Sequence, residues 1–312
     1  MRGTLAWSAA AIAAVTASVI AGLAVGSPVA AAEPATPDVA ARPPDGAPAP
    51  ESPETELTAR EIYRRVLRNR FDSAVQELEL VSYDRAGNQQ GLRMRQLWKR
   101  YLEGSKSRGK GVLARTIVRY LDPPDLRKTG YLVINKQDAP SDQFIYLESQ
   151  RRVRRINLRN QTVVGTDLAV EDLVPRELDD ADYQRAPDAE VDGTPCFVVE
   201  ATPRPEIESV YSKFQAYVEK QHYVPIRVRY WDLKGIEIKE LRAPVESIRE
   251  IEGVFVPIQA VVRHLLDETQ TSVAVDLLVP NAELPDHYFT ERQLQSKRLR
   301  LPKDVMARAQ RL

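Results

Sequence analysis

Apolar and polar residues alternate with period two along most of this chain, the spacing of strands with one buried face. In Leu92 to Tyr101 (LRMRQLWKRY), Leu92, Met94 and Trp98 share one face, and Arg93, Arg95 and Lys99 the other. Val112 to Leu121 repeats the pattern with Arg115 and Arg119 outward. Short strands are predicted at Tyr131 to Asn135 and Phe144 to Leu147, and another at Cys196 to Ala201 behind the Asp192-Gly193 turn. In Val210 to Glu219, Val210, Phe214, Ala216 and Val218 oppose Tyr211, Lys213, Gln215 and Glu219. Ile226 to Trp231, Ile236 to Leu241, Val254 to Leu266 and Thr271 to Val279 complete the series, separated by Lys234-Gly235, Glu252-Gly253 and Asp267-Glu268.

One segment before these strands has a helical period. In Thr58 to Arg70, Ile62, Tyr63, Val66 and Leu67 recur at three and four residues, and Thr58 with Glu61 forms a capping box. Strands at near-even spacing joined by short turns predict a mainly β fold, a large curved antiparallel sheet with one apolar and one wet face. Such a sheet cannot bury its apolar face alone. The leading helix and the segment around Glu171 to Leu178 are the expected covers. There is no GxGxxG and no strand-helix rhythm, so a nucleotide-binding α/β fold is not expected.

The first residues have a different character. Arg2, an apolar run from Leu5 to Val25 and the small residues Ala30, Ala31 and Ala32 predict an export signal over residues 1–32. Cleavage is expected; because the run approaches the ~20 apolar residues that span a bilayer, an uncleaved inner-membrane anchor is the alternative. Residues 33–56, rich in proline, alanine and acid, read as a disordered linker. The folded domain is expected over 57–294, followed by a basic tail over 295–312, read as a solvated end.

Charge and rare residues narrow the function. The 44 Lys plus Arg balance 44 Asp plus Glu, which argues against a nucleic-acid binder. The single cysteine, Cys196, precludes an intrachain disulfide and lies in an apolar strand, where an inert thiol is expected. The histidines, His222, His264 and His287, stand at no metal-ligand spacing, and no GxSxG elbow is present. No catalytic residue, metal or cofactor is expected.

The densest feature is a run of arginines, Arg151, Arg152, Arg154 and Arg155 around Val153. On a strand, Arg152 and Arg154 would share one face and Arg151 and Arg155 the other. Two readings stand open. One is a hairpin corner whose guanidiniums pair with Asp167, Glu171 and Asp172. The other is a basic rim that meets anionic headgroups or a partner protein, since Arg binds phosphate bidentately. Gly165-Thr166-Asp167 reads as a turn into a short helix, with Asp167 as its cap and Glu171 in its first turns.

Together these pieces resemble the outer-membrane lipoprotein-sorting protein family, a LolA-like group. The resemblance rests on Gly130-Tyr131-Leu132, Asp142-Gln143, Tyr146-Leu147, the arginine run to Ile156, Gly165-Thr166-Asp167 and Glu171-Asp172-Leu173. Asp192-Gly193, the strand from Tyr211 to Glu219, Lys239, and Pro285 with Phe289 follow in order. It spans Leu57 to Leu294, and the proline-rich linker lies outside it.

The resemblance implies a half-open β-barrel with covering helices and a hydrophobic cavity for acyl chains. It implies a non-catalytic periplasmic carrier of lipid or lipoprotein, touching membranes only transiently and delivering to another membrane or to an inner-membrane lipid-export transporter. The alternatives are a membrane-tethered sensor of envelope lipids and a structural envelope protein. Each CH₂ exposed to water costs about 0.8 kcal/mol, so an acyl chain crosses an aqueous gap only inside an apolar shelter. From the alternation, Met94, Trp98, Phe214 and Val218 are the expected cavity lining; the competing reading makes them part of a closed core.

Overall fold

The computed structural model describes residues 57–137, 139–156, 163–173, 176–207, 209–296, 299–301 and 303–312. The expected leader and linker lie outside them. The chain opens with helix α1 (Ala59–Arg68), capped by Thr58 and Glu61 as the sequence predicts. Then follow β1 (Ser73–Tyr83), β2 (Gln89–Arg100), β3 (Val112–Asp122), β4 (Gly130–Lys136), β5 (Ala139–Leu147) and β6 (Arg152–Arg155). After a long crossing segment come β7 (Ala181–Val191), β8 (Thr194–Pro203), β9 (Tyr211–Glu219), β10 (Pro225–Asp232) and β11 (Glu237–Arg242). A side hairpin, β12 (Ile248–Ile251) and β13 (Val254–Pro257), precedes β14 (Gln259–His264) and β15 (Thr269–Pro280). Two short helices, α2 (Glu291–Gln295) and α3 (Lys303–Ala307), lead to β16 (Gln310–Arg311).

All strands except β12 and β13 form one 14-stranded sheet, in the order β6-β5-β4-β3-β2-β1-β15-β14-β11-β10-β9-β8-β7, with β16 against β15. The pairings are antiparallel, and the edges β6 and β7 do not meet, so the sheet is not closed. Met94 and Val118 from one wing and Phe214 and Tyr230 from the other belong to one continuous apolar cluster. The sheet therefore wraps around a shared interior, as expected of a half-open barrel. Helix α1 buries Ile62, Tyr63, Val66 and Leu67 in that cluster, and the Tyr63 ring stacks on Tyr183 of β7 at 4.9 Å.

Three expectations need correction. The region from Val254 to Leu266 is two strands, not one, broken at Ile258. The outer face is not uniformly wet: Val75, Leu97, Ile117, Leu132 and Leu277 form a second apolar cluster there. The tail is accordingly not a solvated end, because Leu294, Leu299 and Val305 bury themselves on that outer patch. Arg119, 4% exposed, fastens it: its guanidinium donates to the carbonyls of Gln293, at 3.1 Å, Leu294 and Ser296. A Cβ on Gly130 would press on the Val118 carbonyl oxygen and stand 3.2 Å from Leu294 Cδ1. Only glycine lets β4 sit this close to β3 beneath the C-terminal helix.

Candidate functional site

Between the edge strands β6 and β7, residues 163–173 and 176–180 lie over the interior as a strap. Its apolar side chains, Val163, Leu168, Ala169, Val170 and Leu173, complete the cluster that holds Met94, Trp98, Phe214 and Val218. These last four are 0%, 4%, 1% and 0% exposed. All four are packed among protein side chains in that cluster.

Among its described residues the strap has one strand-like bridge residue and two 3-10 turns, Val170–Leu173 and Leu178–Asp180, where the sequence predicts a short helix. Its fastenings are largely side-chain contacts. Tyr120 donates its hydroxyl to the Val164 carbonyl at 2.7 Å, and Val164 N–H donates to the Tyr131 hydroxyl at 3.2 Å. Ser82 donates to the Gly165 carbonyl at 2.6 Å, and Gln96 to the Leu173 carbonyl at 2.6 Å. Gly165 has φ +80°, and a Cβ there would stand 3.3 Å from Gln90 Oε1 and Leu92 Cδ1. Thr166 closes the turn by donating to the Val163 carbonyl at 2.9 Å.

The acidic residues of the strap hold different neighbours, Asp167 on β15, Glu171 just before β9 and Asp172 on β9 and β11. Asp167 accepts from the hydroxyls of Thr269 and Thr271, the latter at 2.7 Å, and its N–H donates to Thr271 at 2.9 Å. It ties the strap to β15 and does not cap a helix, which corrects the sequence reading. Glu171 accepts from Arg176 at 3.1 Å, Ser209 Oγ at 2.9 Å and Val210 N–H at 2.8 Å. Asp172, 1% exposed, accepts from Ala169 N–H at 2.8 Å, from the Tyr211 hydroxyl at 3.1 Å and from Lys239 Nζ at 2.5 Å. Lys239 also donates to the Tyr211 oxygen. Burial, reinforced by Asp172, holds the Tyr211 phenol well above its ordinary value, so it stays a donor.

Alternation misplaces Tyr211 and Glu219: it predicts both on the wet face, yet they are 2% and 3% exposed. The β9–β10 register slips between Trp231 and Asp232, whose partners are Lys213 and Tyr211, so Ser212 is an extra residue. That irregularity turns Tyr211 inward onto Lys239 of β11. Nothing in the residue pattern marks it.

Beside this trio opens a cleft of about 370 Å³. Tyr211, Lys239 and Asp167 form its inner end, and Leu233, Lys234, Ile238 and His264 its mouth.

The arginines stand elsewhere. Arg151 occupies the β5–β6 turn with φ 48°, Arg152 and Arg154 are exposed on β6, and Arg155 pairs with Asp142. The expected pairing with Asp167, Glu171 and Asp172 does not form, because those carboxylates are taken up by the strap's own anchors. Cys196 is buried, and burial with the nearby Glu219 charge pushes its thiol up to about 12, far from a nucleophile.

Comparison with known proteins bears on the fold. Residues 113–296 match the model of a family described as "Uncharacterized protein". Residues 45–163 match the family described as protein of unknown function DUF1329. No curated protein matches. A DUF1329 family protein from Desulfovibrio piger superposes with a TM-score of 0.68 at 23% identity, over 76% of this chain and 97% of that one. An outer membrane lipoprotein-sorting protein domain from Vibrio parahaemolyticus gives 0.66 at 22%, over 76% and 98%. A LolA superfamily protein from Nitrosomonas europaea gives 0.60 at 18%, over 76% and 99%.

Proposed function

Because the chain belongs to the family whose model matches residues 113–296 and has the fold of LolA-superfamily proteins, we propose that it is a non-catalytic periplasmic carrier of acyl chains. The cargo is a lipid or a lipoprotein, held between the curved sheet and the strap. One observation carries this reading: an apolar interior roofed by a segment fastened to its strands mainly through side chains. Hydrophobic burial is non-directional. An acyl chain that took the place of Val163, Leu168 and Leu173 would keep the interior dry, and each CH₂ would retain about 0.8 kcal/mol of its shelter. Met94, Trp98, Phe214 and Val218 become the lining once the strap lifts. Asp172, Tyr211 and Lys239 act as the latch. Arg151, Arg152, Arg154 and Arg155, on the rim at β6, meet anionic headgroups or the partner that receives the cargo. An inner-membrane lipid-export transporter is the partner class that this role implies.

The experiment is direct. The protein is purified from its native envelope and extracted with organic solvent, and the extract is analysed by mass spectrometry. In parallel the stripped protein is titrated with a fluorescent fatty acid. Co-purified lipid and saturable binding are expected. A clean extract together with no probe binding would remove the carrier reading.

A further inference from the structure

Eight large apolar side chains are exposed among the described residues, and four of them stand on two neighbouring turns. Leu233 and Ile236 are 57% and 46% exposed on the β10–β11 turn, and Leu265 and Leu266 are 40% and 56% exposed on the β14–β15 turn. The two tips touch, since Leu265 N–H donates to the Ile238 carbonyl at 2.7 Å. Leu233 and Lys234 of one tip and His264 beside the other form the mouth of the cleft. We propose that these paired tips are a bilayer-docking surface, which inserts the four aliphatic side chains into a phospholipid membrane and sets the cleft mouth against it. The inference rests on the carrier reading, for which it names the surface that meets the donor or acceptor membrane.

Three observations favour lipid over protein as the occupant. First, the side chains project from convex tips and offer a few hundred Å² at most, whereas a stable protein partner needs about 800 Å² from each side. Second, four tip amides are already paired within the turns. Lys234 and Ile236 N–H both donate to Asp232 Oδ1 at 2.9 Å, Gly235 N–H to the Asp232 carbonyl at 2.9 Å, and Asp267 N–H to His264 Nδ1 at 3.2 Å. Amides paired this way enter an apolar layer without losing water partners. Third, successive registers place the β5–β6 turn with Arg151, the start of β6 with Arg152, and both tips at the same end of the sheet. Exposed Arg151, Arg152 and Lys234 therefore lie at the same end of the sheet as the four aliphatic side chains, the end that headgroup phosphates would meet.

The test uses the full chain with a reporter local to the tip. Leu266→Cys is labelled with an environment-sensitive nitrobenzoxadiazole dye, with Cys196 buried and unreactive. Glu190→Cys, at the opposite end of the sheet, is the control. On adding vesicles of phosphatidylethanolamine and phosphatidylglycerol, the Leu266 label should brighten and shift to the blue and the Glu190 label should not. Leu233→Ser with Ile236→Ser in the labelled chain should weaken that response at least about tenfold with the melting temperature kept. No response at Leu266, or an equal response at Glu190, overturns the proposal. A blue shift that grows with protein concentration without vesicles also overturns it, because the occupant is then a second copy. Fatty-acid binding by the same preparations separates the two readings: retained binding with no vesicle response leaves the carrier and discards the docking surface.

Discussion

Lys239 Nζ lies 2.5 Å from Asp172 Oδ2, with the two side chains only 4% and 2% exposed. The residues are 67 positions apart, one on an interior strand and one on the strap. An ion pair withdrawn from water this far is a weak source of net stability, but removing one member strands the other.

Lys239→Met is therefore expected to cost about 3–5 kcal/mol in chemical denaturation, because buried Asp172 is left without its counter-ion. Adding Asp172→Leu should recover most of that loss. Both variants should take up a fluorescent fatty acid faster than the parent if the pair holds the strap down. Unchanged uptake in both, with the expected stability pattern, would make the pair structural and not a latch.

Asp180, where the strap meets β7, gives a pH dependence. Burial, with Glu177 adding repulsion, pushes its carboxyl up to about 7 against opposing contributions from the Glu177 N–H, Arg176 and Arg70. The folded chain then holds a proton that the unfolded chain releases near 3.8. The associated stability is complete below that value and declines as pH rises toward 7. Asp180→Asn keeps an acceptor for Glu177 N–H without the charge. It should be more stable than the parent at pH 8, on the order of 2–4 kcal/mol, with the gap closing toward pH 4. Melting curves across that range check it, and parallel profiles for the two proteins would contradict it.

Much of this architecture is legible in residue order, and the omissions have identifiable causes. Strands with one wet face, such as β2 and β3, announce themselves by alternation. Strand β1 does not, because Ala74 to Leu78 is buried on both faces and includes Gln76 and Glu77. Edge strand β7 carries Pro187 and few apolar residues, so it reads as loop. The outer apolar patch is written in doublets such as Leu97-Trp98 and Ile117-Val118, which period-two reading assigns to one face at a time. Asp167, Glu171 and Asp172 stand out in the sequence, but their partners Thr269, Ser209 and Lys239 lie 38 to 102 residues away and only the folded sheet brings them near.

The Arg119 anchor predicts what holds the C-terminal cover. Arg119→Met keeps most of the stem packing and removes the donors to three carbonyls. Hydrogen bonds from a charged group contribute about 1.5–3 kcal/mol each, with losses smaller than additive in one network. A total loss of about 2–4 kcal/mol is expected. Hydrogen exchange should rise first in residues 291–296 and beneath them in β3 and β4. Uniform exchange across the whole sheet would argue against a local anchor.

Gly130 tests the close approach of β4. Alanine there forces the backbone away from Val118 or displaces Leu294. The expected cost is about 1–3 kcal/mol, the range for overpacked interiors. A companion Leu294→Ala should add to the loss if only the backbone clash matters, and offset part of it if Leu294 is what gives way. Thermal melts of the single and double variants decide between these responses.

The arginine run separates surface function from folding. Arg152 and Arg154 are exposed on an edge strand, where single charges contribute about 0–1 kcal/mol. Arg152→Glu with Arg154→Glu should therefore melt within a degree or two of the parent. Headgroup or acceptor contact is a different matter, because reversing two charges turns attraction into repulsion across a screening length of about 8 Å at physiological salt. Transfer of a fluorescent lipid to anionic vesicles should slow markedly in the variant at low salt and approach the parental rate as salt rises. Fatty-acid affinity should stay unchanged, since Arg152 and Arg154 are exposed at the edge of the sheet and take no part in the buried apolar cluster. If stability and transfer fall together, the arginines serve the hairpin and not the cargo's destination. If transfer is unaffected at every salt concentration, delivery depends on the leucine-bearing tips without help from this edge.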